Sequence, residues 1–166
     1  RLFPPLAHIA GITGLMNNLL AGRKVCLIER FTVEGFRDAV LRHRPKVAGA
    51  PPSALRMILD ADIPKEDFSS LVAYRTGTAP LDPALADEFY QRYGIPVLQN
   101  YGATEFAGGV AGWTLQDFKD HWRGKYGAVG RLNKNVEAHV VDPETGAELA
   151  AGEEGLLELR APNVGD

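Results

Sequence analysis

Between Lys46 and Asn100, short apolar runs alternate with stretches of helical period, and proline or glycine marks most of the switches. That alternation restricts the fold more than any other feature. "KVAGA" reads as a short strand, "PPSALRMILDA" as a helix with proline in its first turn, and "LVAYRTG" as a second strand. "DPALADEFYQRYG" then reads as a helix capped by Asp82, started by Pro83 and closed by Gly94, and "IPVLQN" as the next strand. Upstream, "GITGLMNNLLAG" has helical spacing with Gly22 at its C-terminal end, and "KVCLIE" reads as a buried strand. Thr32 suits the N-cap of "VEGFRDAVLRHR", where Val33, Phe36, Val40 and Leu41 share a face and Pro45 ends the helix. Strands that alternate with helices form βαβ units, so the expected class is α/β, a parallel β-sheet flanked by helices.

The pattern changes after Tyr126. "NVEAHVV" alternates, "DPETG" turns, and "LLELR" is a further strand, which is an antiparallel hairpin signature. The expected organisation is an α/β unit over residues 1–130, followed over 131–166 by the beginning of an antiparallel β-rich, barrel-like subdomain. "TLQDFKDHWRGKYG", just before the change, reads as a helix or an ordered insertion. The chain has no initiator methionine and stops at "RAPNVGD", so it is expected to be a piece of a longer protein.

Composition narrows the function classes. The chain has 166 residues, 45% hydrophobic and 23% charged, with a net charge of −3. It lacks the clustered Lys and Arg of a nucleic-acid surface. No apolar run is long enough to be a transmembrane segment, and "RLFPPLAHIAG" has no secretory cleavage pattern, so a cytoplasmic location is expected. Cys26 is the single cysteine, which excludes an internal disulfide and a multi-cysteine zinc site; its expected role is a small buried hydrophobe.

Ligands of open parallel sheets bind at the C-terminal strand ends. Two glycine-bearing loops fall there, "TGTAPL" (Thr76 to Leu81) and "NYGATE" (Asn100 to Glu105). If their strands are neighbours, the loops lie side by side. They offer a flat ring (Tyr101), close backbone approach (Gly77, Gly102), hydroxyls (Thr78, Thr104) and one carboxylate (Glu105). That set suits a Mg²⁺-nucleotide, because phosphate-bridging Mg²⁺ takes one or two carboxylates plus phosphate oxygens. The spacing alone also suits a helix-capping turn at Thr104 and Glu105 with Tyr101 as a loop aromatic. Neither a Walker phosphate loop nor a G-x-G-x-x-G signature is present.

Four ordered stretches carry a resemblance. "PPLAHIAG" is similar to a P-L-aromatic-H-x-x-G segment, "TGTAPL" to S-G-A-A-P-L, "NYGATE" to Y-G-x-T-E, and "VGRL…GEEGLLELRAPNV" to V-G-R-P…G-E-x-G-E-L-x-V-R-G-P. Together they resemble the adenylate-forming enzymes: acyl- and aryl-CoA synthetases, luciferases and adenylation domains of peptide synthetases. The likeness covers nearly the whole chain but under half of a complete member. It implies condensation of a carboxylic acid with ATP to an acyl-adenylate, followed by transfer to a thiol, usually that of coenzyme A (CoA). Carried over by residue, Tyr101 would stack on the adenine, with Gly77, Thr78, Ala79 and Pro80 as the opposite wall and Asn100 at the adenine edge. Thr104 would bond the α-phosphate, Glu105 would hold Mg²⁺, and Gly102 would admit the ligand to the backbone. His8 would sit at the acyl pocket near the incoming thiol. The stretches around His8, "AGAPPS" and Ala103 to Gly109 would line that pocket, and the small residues Ala103, Gly108 and Gly109 would make it roomy. Ala7 stands where the family usually has an aromatic, and Thr78 where alanine is common. The family's phosphate loop would lie before Arg1, and its ribose-binding aspartate, hinge and C-terminal lysine after Asp166. The piece alone is therefore expected to be inactive. Two other readings are a carrier-loading adenylation domain and a non-catalytic nucleotide-binding module.

The remaining conspicuous residues have plain expectations: His43 and His121 solvated, His139 on a strand's outer face, and Trp113 and Trp122 in packing.

Overall fold

A computed structural model describes residues 8–162; the expectations for Pro4 to Ala7 and for the end of the last motif lie outside them. Five strands form one sheet in the order β1 (Val47–Gly49), β2 (Ala73–Thr76), β3 (Val97–Ala103), β4 (Gly108–Gly112), β5 (Arg131–Leu132). The first three are parallel, joined through α3 (Pro52–Asp60) and α4 (Pro83–Tyr93). The last two are antiparallel additions. A separate pair, β6 (Glu137–Val141) and β7 (Leu156–Arg160), is antiparallel, with the "DPETG" turn closed by Gly146 N–H to Asp142 C=O at 2.8 Å. The two-residue β5 still pairs with the first sheet, so the second sheet starts only at Glu137.

Strand alternation sorts the core. Tyr74 and Val97 point into a cluster with Phe36 and Val40 of α2 (Val33–His43), Leu55 and Ile58 of α3, and Phe89 of α4. Ala73 and Leu98 join Trp113 and Phe118 in a second cluster, where α5 (Leu115–His121) packs. Each large side chain buried here contributes about 1.5–3 kcal/mol. Burial pushes the Tyr74 phenol well above its ordinary pKa, and its hydroxyl has no partner among the described residues.

The capping residues act as their chemistry requires. Thr32 Oγ1 accepts from Gly35 N–H at 3.0 Å, and Asp82 Oδ1 accepts from Ala84 N–H at 2.9 Å. α1 (Ile9–Leu20) ends at Ala21, with Gly22 left-handed beyond it. The expectation for "KVCLIE" is corrected: residues 24–29 form no strand. The run has strand composition, but no ladder pairs it with a neighbour, and pairing rather than propensity makes a strand. Cys26 is half-buried there.

Thr114 caps α5, and its hydroxyl donates to Asp117 Oδ2 at 2.6 Å, while Arg131 Nε donates to Asp117 Oδ1 at 3.0 Å. The hydroxyl bond first, and the Arg131 bond second, hold the Asp117 carboxyl below its ordinary pKa. A depressed folded-state pKa contributes stability above the unfolded aspartate value of about 3.9 and loses it as pH falls through the lower folded value. Asp117→Asn is therefore expected to lower the urea midpoint at neutral pH, with the gap from wild type narrowing as pH falls below the unfolded aspartate value of about 3.9.

Candidate active site

Thr76 of β2 pairs with Gln99 of β3, so the chain leaving β2 runs beside the continuation of β3. The approach at Gly77 is tight: an added Cβ would lie 2.9 Å from Asn100 O. The two segments flank a cavity of about 810 Å³, the size of a small-molecule site. Of the residues singled out from the sequence, His8, Gly77, Thr78, Ala79, Pro80, Asn100, Tyr101, Gly102 and Thr104 line it, and Glu105 does not. The pocket-lining stretches also meet there, through Ala48 to Pro51, Ala103, Gly108 and Gly109.

"NYGATE" is not a loop throughout. β3 runs on to Ala103 and changes neighbour at Asn100, from parallel β2 to antiparallel β4. The register is Asn100↔Gly112 and Tyr101↔Ala111, then Gly102↔Gly109, which leaves the buried Val110 as an extra residue on β4. Such a bulge re-aims neighbouring side chains. Tyr101 keeps 39% of its surface exposed, with its ring part of the cavity wall. Gly102 has no room for a side chain, since a Cβ would lie 2.1 Å from Gly108 O and 2.6 Å from Gly109 Cα.

Thr104–Phe106 is a single 3-10 turn without a side-chain cap bond, so the capping use of Thr104 and Glu105 is not realised. Among the described residues the Glu105 carboxylate makes no ion pair, and no cluster of three or more metal-binding side chains exists. One open carboxylate fits Mg²⁺ that is held mainly by phosphate oxygens and water.

His8 is the N-cap of α1, and its Nδ1 accepts from Ala10 N–H at 3.1 Å. That acceptor role places the neutral ring's proton on Nε2. Thr78 is more than a mild change. Its φ is 71°, a left-handed conformation that a β-branched residue rarely adopts, and its hydroxyl turns back onto Gly77 O. Thr78→Gly is expected to raise stability by about 1 kcal/mol, read from the urea midpoint, whereas Thr78→Ala keeps the Cβ and much of the strain.

Sequence reasoning missed Arg75 and Gln99 and gave Thr76, the first residue of "TGTAPL", no role; all three line the cavity. Thr76 is 5% exposed, and its hydroxyl has no partner among the described residues. The signal was a polar residue at each strand's C-terminal end, readable only once the register of β2 and β3 is known. Trp113, as expected, packs; its indole N–H also donates to Ala128 O at 2.7 Å, which fastens the segment whose Gly127 and Val129 reach the cavity. His43 and His121 are exposed, and His139 is exposed beside Glu148 at 3.2 Å.

A sheet of this topology, with two glycine-bearing segments around one cavity at the strand ends, defines an α/β architecture. The model of the AMP-binding enzyme family matches residues 2–166, and the chain belongs to that family of adenylate-forming enzymes. It is 35% identical over 164 residues to 4-coumarate–CoA ligase-like 9 of Arabidopsis thaliana, covering 96% of this chain and 28% of that protein. To 4-coumarate–CoA ligase-like 6 of Oryza sativa subsp. japonica it is 35% identical, covering 98% and 27%. The structure resembles o-succinylbenzoate CoA synthetase (MenE) of Bacillus subtilis in complex with ATP and magnesium ion, with a TM-score of 0.79 at 25% identity, covering 98% of this chain and 33% of that one. The chain thus spans under a third of the length of these curated relatives. Among the described residues no helix is long and apolar enough to cross a membrane.

Proposed function

We propose that the whole protein carrying this chain is an ATP-dependent acid–thiol ligase, which forms an acyl-adenylate and then an acyl-CoA thioester. The observation that carries this reading is the convergence of "TGTAPL" and "NYGATE" on one cavity. A carboxylate oxygen of the acid attacks the α-phosphorus of ATP, and the bond to pyrophosphate breaks. The thiolate sulfur of CoA then attacks the acyl carbonyl, and AMP leaves with the electron pair. Bound Mg²⁺ would neutralise charge on the phosphate oxygens.

The chain's own residues position and stabilise. Tyr101 stacks on the adenine against Gly77, Thr78, Ala79 and Pro80, with the Asn100 amide at the adenine edge. Thr104 donates to an α-phosphate oxygen, where negative charge builds in the transition state. Glu105, on the exposed turn, holds the metal. Gly102 brings the β3 backbone close, and His8 borders the acyl pocket. Holding the acid and ATP together supplies much of the rate. Residues 1–130 would form the site-bearing unit and 131–166 the start of the β-rich one. The remaining walls come from the rest of the parent chain, so the 166-residue piece alone does not adenylate.

The test is ATP–pyrophosphate exchange by the whole protein over a panel of carboxylic acids, followed by thioester formation with CoA and with a carrier-protein thiol. Exchange with some acid and thioester formation with CoA are expected. A folded protein that exchanges with none sinks the reading, and thioester formation only on the carrier replaces the acceptor.

A further inference from the structure

Arg75 is the cation that the nucleotide reading does not use. It stands on β2 in the cavity wall, half-buried. The only hydrogen bond of its side chain among the described residues is a long one, Nη1 to Asn100 Oδ1 at 3.4 Å, and none of the ion pairs among them includes it. Burial first, and the like charge of Arg23 second, push its guanidinium below its ordinary pKa. Among the described residues, no acidic side chain lines the cavity around it. Its register partner on β1 is Gly49, and Ala48, Ala50 and Pro51 continue that side of the cavity with small or compact residues. On the other side the Asn100 side chain lies over Gly112, where a Cβ would meet Oδ1 at 2.6 Å.

A guanidinium offers five N–H donors in a planar fork, and here one acceptor uses one of them. A half-buried cation without an acid is unfavourable, and an apolar ligand tail laid across it would worsen that. A ligand carboxylate reverses the balance through bidentate, charge-assisted bonds.

We propose that Arg75 reads a second anionic group on the acid substrate, so that the preferred substrate carries a carboxylate or similar oxyanion besides the carboxylate that is activated. The inference rests on the ligase reading above. Thr104 and Glu105 serve the activated end, and Arg75 serves the far end of the acid.

The test uses pyrophosphate exchange by the whole protein with straight-chain dicarboxylic acids and the monocarboxylic acids of matching length. The best dicarboxylic acid is expected to exceed its partner at least about tenfold in kcat/KM. Arg75→Met should lower the dicarboxylic value roughly ten- to a hundredfold more than the monocarboxylic value; any change in the KM for ATP, through the lost bond to Asn100, should be the same with both acid classes. Arg75→Lys keeps the charge without the fork, and should retain part of the preference; it decides the matter if Arg75→Met fails to fold. Equal losses for both acid classes overturn the inference. Wild-type exchange with monocarboxylic acids and no dicarboxylic preference overturns it too, with the ligase reading intact. No exchange with any acid brings down the ligase reading and this inference together.

Discussion

Glu105→Gln in the whole protein is expected to slow pyrophosphate exchange roughly a hundred- to a thousandfold, the loss that follows removal of one stabilising group from a developing anion. The side chain keeps its size and loses its charge. It sits on an exposed one-turn helix, and no ion pair among the described residues depends on it. The folded structure should therefore be unmoved, and the urea midpoint should match wild type. Raised Mg²⁺ should recover part of the rate, because a weakened ligand set shifts the metal affinity rather than the position of Thr104. Exchange at the wild-type rate would remove Glu105 from the metal site.

Gly102→Ala is expected to destabilise the protein by roughly 3 kcal/mol, read from the urea midpoint. The effect is steric. The new methyl would overlap Gly108 O and Gly109 Cα, both backbone atoms of the paired strand, so no rotamer change relieves it. The β3–β4 pairing must open by more than an ångström at the bulge, and Tyr101 moves with it. Adenine affinity should fall together with stability, in contrast to the clean kinetic loss at Glu105. Unchanged stability would mean that the hairpin is looser than its register indicates.

The parallel half of the fold was readable because local chemistry agrees with the final structure. Thr32, Asp82 and Gly94 are cap residues by type, and each terminates its helix. "KVCLIE" fails for the opposite reason: its apolar residues favour an extended strand, but the partner that would define the strand is a non-local property. The same holds at Asn100. Alternation ends there, so the sequence reads as a loop, while the glycines Gly102 and Gly112 let two backbones pair where side chains would clash. The place of Thr104 at the cavity was legible from a short motif, whereas its neighbour Glu105 stands outside the lining. Arg75 was not legible, because a lone arginine in an apolar run shows its place only through the register of three strands.

β3 is a shared member. Its first half is hydrogen-bonded into the parallel sheet and its second half into the hairpin, so Tyr101 cannot shift relative to Thr76 and Gln99 without breaking one ladder or the other. The facing segment has no such restraint. Gly77 to Pro80 pairs with no strand, and Thr78, Ala79 and Pro80 are exposed, with the strained backbone at Thr78. The two sides of the cavity are therefore held unequally: two ladders fix the Tyr101 side, and no ladder fixes the Thr78 side.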